Sequence, residues 1–266
     1  MRYDHVVAVA DAREPVLQGL ERGLAVIEAF SEDEPAMTLS TVARRTGITR
    51  ASARRILLSL EELGYVKSTD GRFSLSPRIL RLGWSYFGSL KLWELAQPLM
   101  EELAAELEET CSATTLDLPD IVFVARAPGP RIMTMSLSVG NRLPAYTTAM
   151  GRVLLAGLDD DSIERYLSST SLEALTPRTV TDPQLLLETV REARSRGWAL
   201  VDEELELGLR SLSVPLRVSD GRLAGALNIC AATSRISVAE MERSFLPAMQ
   251  RKACAVSAAW MHAVQT

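Results

Sequence analysis

The sequence predicts an α+β chain in two parts. A small, mostly helical N-terminal module ends in a two-stranded hairpin, and a larger domain of helices around an antiparallel sheet follows. Three observations predict this. Helical apolar spacing runs from Leu17 to Leu63 and gives way to two short strand patterns around an Asp-Gly turn. Beyond Trp93, strand pairs joined by tight turns alternate with amphipathic helices, the pattern of mixed layers on an antiparallel sheet. Charge divides in the same way. The 266 residues carry 29 Lys+Arg and 34 Asp+Glu, net −5, yet Thr38–Leu80 holds eight basic and three acidic residues, a local +5 that leaves −10 elsewhere.

Leu20, Leu24, Ile27 and Phe30 recur at helical spacing and predict a first helix from Leu17 to Phe30. Ser31-Glu32-Asp33-Glu34-Pro35 breaks it. A short helix over Ser40–Arg45 follows, capped by Thr38 or Ser40 and stopped at Thr46-Gly47, where glycine supplies a left-handed turn. A third helix covers Arg50–Leu63, with Ala53, Ile56, Leu57, Leu60 and Leu63 on its apolar face, and Gly64 ends it. Tyr65–Lys67 and Arg72–Leu75 read as strands around Thr69-Asp70-Gly71. Helix, short helix, turn, helix and hairpin make a winged helix-turn-helix.

That geometry explains the arginines. The first turn of the third helix enters the major groove, so its outer face needs donors. Arg50, Ser52 and Arg54 lie there as base readers, and no carboxylate occurs between Leu39 and Leu60. Arg44, Arg45 and Arg55 are placed to meet phosphates, and Lys67 and Arg72 flank the wing turn. Winged helices also serve as protein-protein modules, but this arginine distribution favours double-stranded DNA.

Pro77 opens a linker helix whose apolar positions are Ile79, Leu82, Trp84 or Tyr86, and Phe87, loosened by Gly83 and Gly88. Trp93–Glu109 is strongly amphipathic, with Leu95, Leu99, Leu103 and Leu107 inward and Glu101, Glu102, Glu106 and Glu108 outward. Strands are expected over Thr114–Leu118 and Ile121–Ala125 around Leu118-Pro119-Asp120, over Arg131–Leu137, and over Leu212–Arg217 and Leu223–Ala231 around Ser219-Asp220-Gly221. Helices are expected over Met150–Leu158, Asp161–Leu167, Pro183–Arg196 and Val238–Val264, the last with Phe245, Met249, Val256 and Trp260 inward. The domains are therefore 13–77, a linker helix at 78–92, and 93–266.

Other classes start weak. No apolar run reaches the ~18 residues of a membrane helix, and Met1–Pro15 lacks the apolar core of a signal peptide, so a cytoplasmic protein without membrane association is expected. Cys111, Cys230 and Cys254 are odd in number and widely spaced, fitting reduced thiols. The histidines, His5 and His262, lie near the chain ends without metal-ligand spacing, and no P-loop or GxGxxG occurs, so no metal, cofactor or catalytic residue is assigned. The competing reading is a small-acid-converting enzyme tethered to DNA. The absence of an internal histidine and of a paired nucleophile and base argues against it.

With its motifs the chain resembles the IclR family of bacterial transcription regulators from about Leu17 to Val264. The N-terminal resemblance rests on Gly19-Leu20-Glu21-Arg22-Gly23-Leu24, Ala43-Arg44-Arg45-Thr46-Gly47, Arg54-Arg55-Ile56-Leu57 and Leu63-Gly64-Tyr65. The C-terminal resemblance rests on Met150-Gly151-Arg152-Val153-Leu154-Leu155-Ala156, Asp202-Glu203-Glu204, Gly208-Leu209-Arg210 and Ala224-Gly225-Ala226-Leu227-Asn228. Arg131-Ile132-Met133, Leu137-Ser138-Val139-Gly140 and Arg142-Leu143-Pro144-Ala145-Tyr146 look like the branch regulating protocatechuate and 4-hydroxybenzoate catabolism in the β-ketoadipate pathway.

The resemblance implies a GAF-like effector-binding domain for a small organic acid, aromatic in that branch. It also implies a homodimer built through the DNA-binding domains, or a dimer of dimers, reading a pseudopalindromic operator. It carries the effector carboxylate to Thr148, Ala149, Met150 and Gly151, where a loop enters a helix, and the rest of the pocket to Val201 or Asp202, Ser211, Asn228 and Cys230. An apolar Val201, and Asn228 and Cys230 in place of common serines, depart from the family pattern. Of Arg126, Arg131 and Arg142, weighed as guanidinium partners for a carboxylate, Arg142 stands nearest the pocket loop and is the preferred one.

Overall fold

The computed structural model describes residues 17–31, 33–83, 91–130, 137–218 and 221–265. The chain divides into two compact units, Met1–Ser89 and Leu90–Thr266. The expected strand over Arg131–Leu137, apart from Leu137, lies outside the described residues. So do Trp84, Tyr86, Phe87 and Gly88 of the linker.

In the first unit, α1 (Gln18–Glu28), α2 (Leu39–Thr46) and α3 (Arg50–Glu62) pack on a small antiparallel sheet of β1 (Ala36–Thr38), β2 (Val66–Thr69) and β3 (Arg72–Leu75), in the order β1-β3-β2. Local chemistry sets each boundary. Thr38 Oγ1 accepts from Thr41 N at 3.2 Å and caps α2, and Gly47, with φ of 67°, ends it. Thr49 caps α3 by accepting from Ser52 N at 3.2 Å. At the other end, Gly64 at φ 80° closes a Schellman motif, with Tyr65 N donating to Leu60 O and Gly64 N to Glu61 O. Asp70 and Gly71 both have positive φ, as a two-residue hairpin turn requires. Val26, Met37, Val42, Ala53, Leu57 and Val66 form the core.

Strand β1 was not expected from the sequence; three residues beside a proline carry no strand periodicity, and it exists by pairing Ala36 and Thr38 with Ser74 and Arg72. The inward face of α1 also differs from the expected one. Val26 and Ala29 are buried, whereas Leu17, Leu20 and Leu24 are 75%, 61% and 46% exposed. Leu63, expected on the apolar face of α3, is exposed as well.

The second unit is a six-stranded antiparallel sheet between two helical layers. Its strands are β4 (Cys111–Asp117), β5 (Asp120–Ala127), β6 (Arg142–Pro144), β7 (Ala199–Asp202), β8 (Leu209–Arg217) and β9 (Leu223–Ala232), in the order β6-β5-β4-β9-β8-β7. One face packs on α4 (Lys91–Leu107) and the C-terminal helix α8 (Leu246–Gln265), with Met100, Leu103, Leu212, Ile229 and Met249 in the core. The other faces α5 (Ala149–Leu155), α6 (Asp160–Ser169) and α7 (Pro183–Arg196), with Phe123, Leu155, Ile163 and Leu186 between them.

Several bounds shift. Helix α5 begins at Ala149, and the long final helix is interrupted by a π turn at Met241–Phe245. The short edge strands β6 and β7 were also unexpected. The buried face of α4 is Leu92, Trp93, Ala96, Met100, Leu103 and Ala104; Leu95 stands half-exposed beside it, because Trp93 and Met100 fill more of the interface than the leucine ladder.

The bulge in β5 decides what faces the second helical layer. Thr114 pairs with Phe123 but Ala113 pairs with Ala125, so Val124 is an extra residue. Strict alternation from Ile121 and Phe123 would turn Ala125 inward and Arg126 away. The extra residue reverses this, and Arg126 comes to the same face as Phe123.

Candidate nucleic-acid interface and ligand cavity

On the first unit, the N-terminal turn of α3 presents Arg50 and, one turn on, Arg54, with Arg55 beside them, all exposed. Ser52 does not join them. It is 8% exposed and turned toward the core next to Ala53, since the third residue after the N-cap points inward here, which corrects its expected place on the outer face. Arg44 and Arg45 end α2, but Arg45 is paired with Glu34 and shares Ser31, so a phosphate would have to compete for it. Arg72 Nη1 donates to Ala36 O at 3.2 Å, tying the turn end of the wing to β1. Among the described residues, Arg44, Arg50, Arg54, Arg55 and Lys67 are exposed and enter no ion pair. A cationic surface without internal neutralisation can replace the counterions of a polyanion.

In the second unit, an enclosed cavity lies between the sheet and the start of α5. Its lining includes Ser112, Phe123, Arg126, Leu143, Thr147, Thr148, Met150, Val201, Ser211, Asn228 and Cys230. The sheet supplies the polar floor in registered rows. Arg126, Ser112 and Asn228 stand side by side on β5, β4 and β9, and Cys230, Ser211 and Val201 form the next row on β9, β8 and β7. Thr148 caps α5 by accepting from Gly151 N at 3.0 Å. Gly151 is required there, because a Cβ would lie 1.9 Å from Ala145 O. Asn228 Nδ2 donates to Cys230 Sγ at 3.1 Å. Burial pushes the Cys230 thiol up to about 11, with the Asn228 hydrogen bond and the Arg126 charge pulling against it. The thiol is therefore neutral at pH 7.

Arg126 is the only charged side chain among the described residues lining the cavity, and its Nε is buried without a hydrogen-bond partner. Among the described residues no carboxylate lines the cavity to serve as its counter-ion. The internal volume is about 30 Å³, room for about one water, so a larger ligand requires the cavity to widen; Leu137, Leu205 and Leu209 are among the apolar residues lining it. A wider, open groove of about 600 Å³ lies beside Tyr146 and Tyr166. Its tyrosines are already satisfied: Tyr146 Oη donates to Glu173 O and accepts from Glu173 N, both at 2.9 Å, and Tyr166 Oη accepts from Tyr146 N. That groove offers a ligand less than the enclosed cavity.

The structure brings together Thr148, Met150, Val201, Ser211, Asn228 and Cys230 from the expected set. It does not bring Arg142, which lies 44% exposed in ion pairs with Asp117 at 2.6 Å and Asp120 at 3.1 Å; these carboxylates on the β4–β5 turn draw it away. Ala149 is buried but outside the lining. Asp202 is bound by Arg210 at 2.7 Å on the opposite side of the strand from Val201. Arg131 lies outside the described residues. Arg126, ranked below Arg142 in the sequence reading, takes its place, and the bulge that puts it there has no signature in apolar periodicity.

Comparison with known proteins gives two family matches, IclR helix-turn-helix domain over residues 19–70 and Bacterial transcriptional regulator IclR C-terminal over residues 84–258. The chain is 43% identical over 232 residues to the Pca regulon regulatory protein of Pseudomonas putida, covering 87% of this chain and 80% of that one. A crystal structure of a transcriptional regulator from Rhodococcus sp. RHA1 superposes with TM-score 0.78 at 44% identity, covering 93% and 99% of the two chains. The inducer-binding domain of a double mutant of the PobR transcription factor from Acinetobacter, in complex with 3-hydroxybenzoic acid, superposes with TM-score 0.59 at 32% identity over 62% of this chain and 97% of that one. The chain therefore belongs to the IclR family: it is a DNA-binding transcriptional regulator, not an enzyme.

Proposed function

We propose that the protein controls genes of aromatic-acid breakdown in the cytoplasm, in the protocatechuate and 4-hydroxybenzoate branch, by binding a small aromatic carboxylic acid in the cavity at Arg126. The observation that carries this reading is the Arg126 guanidinium, its Nε buried without a hydrogen-bond partner, as the only charge among the described residues lining the cavity. A carboxylate supplies a charge-assisted partner for it, and the Thr148–Met150 turn offers a second polar wall. The likeness to an inducer-binding domain holding a hydroxybenzoic acid supports the same ligand class.

Arg50 and Arg54 read bases, while Arg44, Arg55, Lys67 and Arg72 hold phosphates. The exposed stripe of Leu20 and Leu24 on α1 with Leu17 at its N-cap, at helical spacing, supports a dimer through this unit and hence a pseudopalindromic operator. Because the cavity must widen, the acid binds the widened form better and shifts the population toward it. In the test, fluorescence anisotropy of full-length protein on operator DNA is measured with and without protocatechuate, 4-hydroxybenzoate and β-ketoadipate. At least one acid should change DNA affinity, and Arg126→Leu should abolish the response while leaving acid-free DNA binding intact. A response unchanged in Arg126→Leu refutes the carboxylate assignment.

A further inference from the structure

A second pocket, sharing no lining residue with the cavity at Arg126 among the described residues, lies between α7, β7 and the π turn at Met241–Phe245. Its volume is about 220 Å³, against about 30 Å³ for the enclosed cavity. Arg152 of α5, 5% exposed, forms its buried wall, and the exposed Glu192, Arg196 and Glu242 stand at its rim. Trp198 forms one side, with the Arg196 guanidinium 5.2 Å from its ring centroid. Most of these charges cancel in pairs. Arg152 Nη2 meets Glu204 at 2.6 Å, and Arg196 Nη2 meets Glu192 at 2.6 Å. Two groups are left over. Arg152 Nε is buried without a hydrogen-bond partner, and Glu242 makes no ion pair among the described residues.

We propose that this pocket is a second ligand site, for a small amine that carries a neutral oxygen acceptor, such as an amino amide. The oxygen accepts from Arg152 Nε, and the ammonium faces Glu242. The charge balance selects this class. Arg152 and Glu204 together are neutral, so a carboxylate brought to Nε gains no net counter-charge and lies close to Glu204. A carbonyl satisfies the same donor with no charge to desolvate. At the rim, an ammonium compensates the one carboxylate without an ion pair, and Ala193, Ala199 and Leu200 supply apolar contact for the carbon chain between the two groups. Either polar contact alone is weak, because Glu242 is exposed and water can satisfy a lone Nε–H. A ligand that makes both gains the second contact without a second loss of translational freedom. The same amine is refused at the other cavity, where Arg126 is the only charge among the described lining residues and repels it.

The test titrates isotope-labelled full-length protein with β-alaninamide, and with propylamine, propionamide and β-alanine as partial mimics. Heteronuclear NMR follows the indole N–H signal of Trp198, which Trp198→Phe identifies. β-Alaninamide should shift that signal and bind about 5- to 10-fold more tightly than each of the other three. Glu242→Gln, at an exposed position, should remove its advantage over propionamide, and Arg126→Leu should leave its binding unchanged. β-Alaninamide binding no tighter than propylamine means that water already satisfies Nε, and it overturns the proposal. Binding no tighter than propionamide or β-alanine, or undiminished in Glu242→Gln, overturns the charge argument and the proposal with it. A shift lost in Arg126→Leu places the amine in the other cavity and does the same, as does the absence of any shift. The native ligand series decides the matter whatever the variants do.

Discussion

Replacing Arg152 by methionine should destabilise the second unit by about 3–5 kcal/mol, the usual consequence of stranding one partner of a buried ion pair. Arg152 lies within α5, and its Nη2 meets Glu204 Oε2 at 2.6 Å with side-chain exposures of 6% and 9%. Without the guanidinium, the Glu204 carboxylate keeps only the Val180 N–H, at 3.1 Å, in a site closed to water. The Arg152→Met, Glu204→Leu double variant removes both charges and should recover most of the loss, giving a coupling of about 3 kcal/mol. Arg251→Met breaks a pair with Glu106 that is 66% and 43% exposed, and should cost less than about 1 kcal/mol. Urea denaturation followed by circular dichroism measures all three, and the Arg152→Met midpoint should fall by about 1–2 M. A change in Arg152→Met no larger than in Arg251→Met would refute the argument. A double variant no more stable than the single one would do the same.

Three further outcomes are expected. Arg50→Ala should reduce discrimination between operator and random DNA as well as affinity, whereas Lys67→Ala should weaken all DNA alike and lower the slope of log K against log salt by about 1; anisotropy titrations at several salt concentrations separate them. Gly151→Ala should destabilise the protein by about 3 kcal/mol or more, since its Cβ collides with the Ala145 backbone, while Gly23→Ala, with nothing within 4 Å, should raise stability by about 0.5–1 kcal/mol; thermal melts read both. A thiol reagent at pH 8 should label exposed Cys254 first, because burial raises the Cys111 thiol and brings Cys230 to about 11, leaving few thiolates on either; mass spectrometry before and after denaturation counts the labels.

The elements legible in the sequence were those with a long period or a hard stop. Pro183–Arg196 was readable residue for residue because Asp182 caps it, Pro183 opens it and Gly197 closes it. Gly47 and Gly64 bounded the helices of the first unit in the same way. Strands β1, β6 and β7 are three or four residues long, too short to show an alternating pattern, and β1 exists only by pairing with β3 more than thirty residues on. The arginine face of α3 was visible in composition, but the inward turn of Ser52 was not, since a small hydroxyl serves equally on either face. In the cavity, motif resemblance located Thr148, Met150, Ser211 and Asn228. It misjudged the arginine because the nearest one in sequence, Arg142, is claimed by two aspartates, while Arg126 arrives through a bulge.

The tightness of the cavity has a kinetic side. If the widened form were present in about one molecule in a hundred, the measured dissociation constant would be about a hundredfold weaker than that of the ready site, and association would be slowed by the same scarcity. Apolar lining residues such as Leu205 and Leu209, which carry no charge for an acid to pair with, would then influence the concentration at which the regulator responds. Trimming either leucine would lower the response threshold without changing which acid is recognised. Dose and identity of the signal are thereby written in different residues, and selection can adjust one without disturbing the other.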